Sequence, residues 1–310
     1  MPKKLRHVPE GGSLVEVTCR TVQSRLLLAP RAYVRETVLG VLARAQRMYP
    51  VQLIAFSFLG NHYHMLLCAE DAGRLAEFMG YLNGNLAREV GRLADWKEKF
   101  WGRRYQSIVV SEEEEAQVAR LKYVLSQGVK EGLVADPRDW PGAHSVNALL
   151  TGDPLEGVWH DRTQEYRYRL RGKEPQPGQF ATVETLTLDP LPCWKHLPPE
   201  VYRQRMAELV AEVIKEARIA REAKGVEPLG ADAIRRQPPH ARPLRTKKSP
   251  APLFHAASRR AYLQLREGYS RFVAAFREAA EKLRAGDRLV SFPEGSFPPA
   301  LPFVRPATAG

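Results

Sequence analysis

The chain is poor in cysteine and has no long apolar run. Cys19, Cys68 and Cys193 are its only cysteines in 310 residues. Their odd number and wide scatter give neither a zinc-ligand spacing nor a disulfide framework, which fits a reducing compartment. No apolar stretch approaches the ~20 residues a membrane span needs. Met1-Pro2-Lys3-Lys4-Leu5-Arg6 is basic, but it leads into Glu10-Gly11-Gly12 rather than an apolar signal core, so export is not expected. No internal repeat is visible. What is present is a globular composition, 44% hydrophobic and 26% charged, in a chain long enough for two domains.

Charge is abundant and unevenly placed. The net charge is +12. Residues 1–200 carry 26 Lys and Arg against 24 Asp and Glu, whereas residues 201–310 carry 21 against 11. A basic excess confined to one end points to a polyanion, most often nucleic acid. The competing explanation is a solvated surface that only keeps the protein soluble.

Period-2 and period-3.6 patterns give the element order. Leu14 to Arg20 reads as a strand, Ala32 to Met48 as an amphipathic helix ended by Pro50, Val51 to Phe58 and His62 to Leu67 as two strands. Leu75 to Leu93 reads as a second helix and Tyr105 to Val110 as a fourth strand. This β-α-β-β-α-β order predicts an α+β, ferredoxin-like domain whose two crossover helices cover one sheet face and leave the other available. A third helix is expected from Glu112 to about Lys130, with Ser111 as N-cap and Glu112 to Glu115 favoured by the helix dipole. The expected units are a catalytic domain over 1–147, an irregular connector over 148–198, and a basic, mainly helical DNA-binding region with a proline-rich tail over 199–310. Long helices are expected from Pro199 to about Ala223 and from Phe254 to about Ala285.

Within this frame, Asn61-His62-Tyr63-His64 stands out. Alternation on a strand projects His62 and His64 from one face and sends Tyr63 to the other. Two imidazoles so placed can hold one divalent metal; the other reading is a pair of sheet histidines with no ligand. On the third helix, Arg120, Tyr123 and Gln127 share a stripe with Lys130 beyond them. Taken alone, Tyr123 reads as an amphipathic packing residue with its hydroxyl in water. His7, His144, His160, His196, His240 and His255 match no ligand spacing and stay unassigned.

Together these segments resemble the HUH single-tyrosine transposases, and within them the REP-associated tyrosine transposases. Gly60 to Leu67 resembles that family's histidine–hydrophobic–histidine strand. Phe100-Trp101-Gly102-Arg103-Arg104-Tyr105-Gln106-Ser107 resembles its aromatic-basic segment, Tyr123 to Val134 its nucleophile helix, and Asp139-Trp140-Pro141 the end of its catalytic domain. The likeness spans about residues 5–147. It implies Tyr123 as the nucleophile and His62 and His64 as ligands of Mg²⁺ or Mn²⁺. Gln127 falls where the wider family has a third polar ligand; the subgroup often has Asn-Pro where this chain has Gln127-Gly128. The implied partner is single-stranded or hairpin DNA, bound by a monomer or homodimer, in a bacterial-type, nucleoid-associated cytoplasmic setting and without a membrane.

The expected chemistry is cleavage and strand transfer through a 5′-phosphotyrosine. Trp101 and Tyr105 would stack bases while Arg103, Arg104, Arg120 and Lys130 neutralise phosphates. The loop carrying Arg235, Arg236, Arg242, Arg245, Lys247 and Lys248 would track the backbone of a structured DNA end; its other reading is a basic linker. The rival function is a non-catalytic nucleic-acid-binding module that keeps the fold. A hydrolytic metalloenzyme is disfavoured because no carboxylate is seen beside the histidine pair.

Overall fold

Apolar alternation in four segments builds the central sheet, and a computed structural model describes residues 5–9, 12–243 and 252–297. In chain order its elements are β1 (Leu14–Arg20), α1 (Ala32–Met48), β2 (Gln52–Phe58), β3 (His62–Cys68), α2 (Ala72–Leu93), β4 (Gln106–Val110) and α3 (Glu114–Leu125). There follow α4 (Val146–Thr151), β5 (Leu155–His160), α5 (Arg162–Leu170), β6 (Ala181–Leu186), α6 (Pro199–Glu222), α7 (Ala231–Arg235), β7 (Phe254–His255) and α8 (Arg259–Arg284). The sheet order is β2-β3-β1-β4-β7. The first four strands pair antiparallel with one another, which is the ferredoxin-like arrangement expected, and β7 adds in parallel beside β4. Among the described residues no helix is long and apolar enough to cross a membrane.

The sheet is covered on both faces. Under α1 and α2, Val15, Val17, Tyr63, Met65 and Leu67 join Leu42, Phe78, Met79 and Leu82 in one core. Each fully buried side chain of this kind contributes roughly 1.5–3 kcal/mol relative to exposure. On the other face Leu14, Ile54, Leu66 and Val110 pack against Leu121, Val124 and Leu125 of α3 and Met206, Leu209 and Val210 of α6. A tight turn at Gly60-Asn61, closed by Leu59 N–H donating to the His62 carbonyl at 2.8 Å, sets the β2–β3 register.

Three expectations are corrected. The third helix runs only from Glu114 to Leu125, because Glu113 caps it and the backbone turns back at Gly128, whose φ of 85° suits glycine. The segment read as an irregular connector holds β5, α5 and β6; its strands expose one polar face, which hides their period. This hairpin lies so close to α1 that a Cβ on Gly157 would sit 2.0 Å from the Gly40 nitrogen. Finally, Phe254 and His255 form β7 beside β4 rather than the start of a helix. Arg245, Lys247 and Lys248 lie outside the described residues.

Candidate active site on the α3 face of the sheet

Strand register assembles the site. On β3, His62 and His64 face α3, and across the ladder they pair with Arg20 and Thr18 of β1. Their rings stand edge to face with centroids 5.1 Å apart. Tyr63 points the other way, fully buried, its hydroxyl donating to Asn83 Oδ1 at 2.8 Å. Helix α3 lays Tyr123 against the histidines, its ring 5.3 Å from that of His64 and nearly perpendicular to it. Two cations rest on the phenol: Arg120 with its guanidinium carbon 4.7 Å from the ring centre and Lys130 with Nζ at 3.5 Å. Lys130 reaches there from the turn after the helix, not from the helical stripe.

The hydrogen bonds leave each imidazole one nitrogen for a ligand. His62 Nδ1 is 2.6 Å from Asn61 Oδ1, and His64 Nδ1 is 2.6 Å from Glu16 Oε1. Both Nε2 atoms therefore remain. The His62 pKa is pushed well below its ordinary value, first by burial and then by His64, Arg20 and Lys130, so the ring is neutral at neutral pH. Gln127 is buried, and its amide nitrogen donates to the Tyr123 carbonyl at 2.8 Å. That bond ties the carboxamide back to the last turn of α3. Two imidazoles, each with Nε2 left over, and a neutral amide suit an open Mg²⁺ or Mn²⁺ site that takes further oxygens from water or phosphate. Among the described residues no cluster of three His, Cys, Asp or Glu could hold a metal by itself.

Two side chains of this site escaped the sequence reading. Glu16, fully buried on β1, sits beside His64, which corrects the expectation that the histidines lack a neighbouring carboxylate. Its second oxygen pairs with Arg120 Nε. With both oxygens engaged, Glu16 is not free to act as a base on water. The same pair corrects the role expected of Arg120: its side chain is 11% exposed and turned inward, so it is not a phosphate contact. Arg20 is the other omission. It lies opposite His62, close enough to feel both Arg103 and Tyr123. Among the described residues no carboxylate pairs with Arg20 or Arg103. Alternation along β1 placed Glu16, Thr18 and Arg20 on one face, but only the register joins them to the histidines.

The remaining expected DNA contacts divide. Arg103 and Arg104 are both exposed, Arg103 next to Arg20 and Arg104 next to Arg6 and Tyr105. Tyr105 is buried in the α1–α2 core and is thereby removed from base stacking; burial also raises its pKa. Trp101 donates from Nε1 to the Asn83 carbonyl at 2.9 Å and stands edge-on to Tyr63, so its partly buried ring braces the opposite face. Arg235, Arg236 and Arg242 are exposed on a strap that docks at both ends. Leu229 and Gly230 bond to the carbonyls of Gly132 and Leu133, and Leu26 N–H donates to the Ala241 carbonyl.

Comparison with known proteins adds a family. Residues 19–127 match the model for IS200-like transposases. A solved REP-associated tyrosine transposase bound to a REP hairpin is 17% identical, with a TM-score of 0.37, over 56% of this chain and 89% of that one. A candidate transposase from Deinococcus radiodurans R1 is 20% identical, with a TM-score of 0.28, over 39% and 95%. No curated protein matches the chain.

Proposed function

Taking residues 19–127 as a transposase domain of the HUH tyrosine superfamily, we propose that this chain is a metal-dependent single-stranded DNA endonuclease and strand-transferase that works through a covalent 5′-phosphotyrosine on Tyr123. The observation that carries this reading is the convergence of the Tyr123 phenol, 5.3 Å from the His64 ring, with two cations on its face. His62, His64 and Gln127 would hold Mg²⁺ or Mn²⁺. When bound, that ion supplies positive charge to the non-bridging phosphate oxygens and so favours attack.

The chain's own residues do the rest. Tyr123 Oη forms the new bond to phosphorus while the bond from phosphorus to the 3′-oxygen breaks. The phenol gives up one proton and the leaving 3′-oxygen gains one, so a free 3′-hydroxyl results and the phosphate stays esterified. Reversal by another 3′-hydroxyl rejoins strands without ATP. Lys130 and Arg120 rest on the face of the phenol ring, and helix α3 holds that ring against His64. Arg20 lies opposite His62 and Arg103 lies beside Arg20; with no carboxylate partner among the described residues, both are suited to phosphates next to the reacting one. The exposed arginines of the 225–243 strap would follow the paired stem of a hairpin.

Denaturing electrophoresis of the protein with labelled hairpin DNA and Mn²⁺ tests this. A band shifted by one covalently attached protein is expected, and Tyr123→Phe should lose it entirely while still binding the hairpin. Adducts that persist in Tyr123→Phe would move the nucleophile elsewhere. Salt-sensitive binding without cleavage in either metal would leave a DNA-binding module.

A further inference from the structure

We propose that Glu16 and Arg120 form a buried positioning couple that fixes the tautomer and angle of His64 and links that ring to the helix carrying Tyr123. The inference rests on the metal-site reading above. Glu16 is 0% exposed, on β1, one step along the ladder from Thr18, which faces His64 directly. Its Oε1 lies 2.6 Å from His64 Nδ1. A carboxylate accepts but does not donate, so the proton of a neutral His64 must sit on Nδ1 and the Nε2 lone pair is exposed toward the site. A carboxylate behind an imidazole also makes its free nitrogen a better electron donor.

Glu16 stands behind the ring and not among the ligands, because its Oε1 faces His64 Nδ1 and its Oε2 faces Arg120. Arg120 answers a second need. An isolated carboxylate at this depth is costly, and its partner here is the guanidinium one helical turn before Tyr123. The same guanidinium lies over the phenol ring. One arginine thereby touches the carboxylate behind the histidine and the nucleophile in front of it. Any displacement of α3 along its axis would carry Arg120 and Tyr123 together, pulling the first from Glu16 and the second from His64. Sheet and helix are held in one registration by a charge pair rather than by apolar packing alone.

The test combines two measurements on the full chain. In metal-free wild type, nitrogen-15 correlation spectra of the histidine rings, assigned with His64→Gln, should show His64 protonated at Nδ1. A ring protonated at Nε2 overturns the proposal without any variant of Glu16. Mn²⁺ titration by calorimetry should then give an affinity about 10–100-fold weaker in Glu16→Gln than in wild type, with metal-free hairpin binding unchanged. Equal Mn²⁺ affinity in a folded Glu16→Gln also overturns it. No Mn²⁺ binding by wild type would instead sink the metal reading and this role with it.

Discussion

Strand β3 presents two unlike surfaces. Tyr63, Met65 and Leu67 enter a core of aliphatic and aromatic side chains under α1 and α2. His62 and His64 enter a layer of charges and polar groups under α3, with Glu16 and Arg20 contributed by the neighbouring strand. The first surface is stabilised by area removed from water and tolerates exchange among apolar side chains of similar volume. The second is stabilised only while each charge keeps its partner. The difference assigns labour: the apolar side makes the strand rigid, and rigidity lets the polar side hold the His64 ring 5.1 Å from that of His62 and 5.3 Å from that of Tyr123.

Pairs of substitutions can break that comparison. Glu16→Ala strands Arg120 in the interior and should cost about 3–5 kcal/mol in urea unfolding, with Mn²⁺ affinity falling in whatever fraction stays folded. Met65→Ala should cost a similar ~2–5 kcal/mol yet leave the Mn²⁺ affinity of the folded protein intact. Equal losses of metal affinity in the two variants would erase the distinction between the faces.

A pH titration sharpens it next. His144 bridges to Ser57 on the polar side of the sheet, and its buried Nδ1 accepts the Val146 N–H at 3.0 Å. Burial lowers its pKa from 6.5 to about 4. The unfolded chain takes up a proton below pH 6.5 that the folded chain refuses until about 4. The contribution of His144 is therefore complete above 6.5 and is lost as pH falls toward 4, by on the order of 3 kcal/mol. Burial of His62 acts in the same direction. The unfolding free energy of His144→Gln should slope less over this window; an unchanged slope would assign the dependence to other groups.

The smallest effect is expected at the rim. Arg103→Ala should reduce the slope of log affinity against log salt for hairpin DNA by about 1, without altering stability. An unchanged slope would remove Arg103 from the DNA path.

Much of this was legible in the linear chain, and what was not has a common cause. The first six elements follow from local periodicity, and the histidine pair from i, i+2 spacing. Glu16 and Arg20 needed the β1–β3 register, which depends on two segments 48 residues apart. The β5–β6 hairpin was hidden because its outward residues are polar and its packing relies on two glycines, Gly40 and Gly157, that give no hydrophobic signal. The early end of α3 was readable in principle, since Gly128 is the kind of residue that stops a helix. Strand β7 has two residues, too few for any pattern.

Helix α3 is clamped along its whole length by sequence from the far half of the chain. At its start, the Glu113 carboxylate accepts the backbone N–H groups of Ala257 and Ser258 at 2.8 and 3.2 Å, just ahead of α8. At its middle, Lys122 is held by Glu212 and Glu216 of α6 at 2.8 and 2.7 Å. Beyond its end, Gly132 and Leu133 carry the strap that leads to α7. The tyrosine arm thus has no free end to pivot on. To shift this helix, the molecule must first unseat contacts made by its own distal third, so substitutions in α6 or just ahead of α8 would be felt at Tyr123, far from them in sequence.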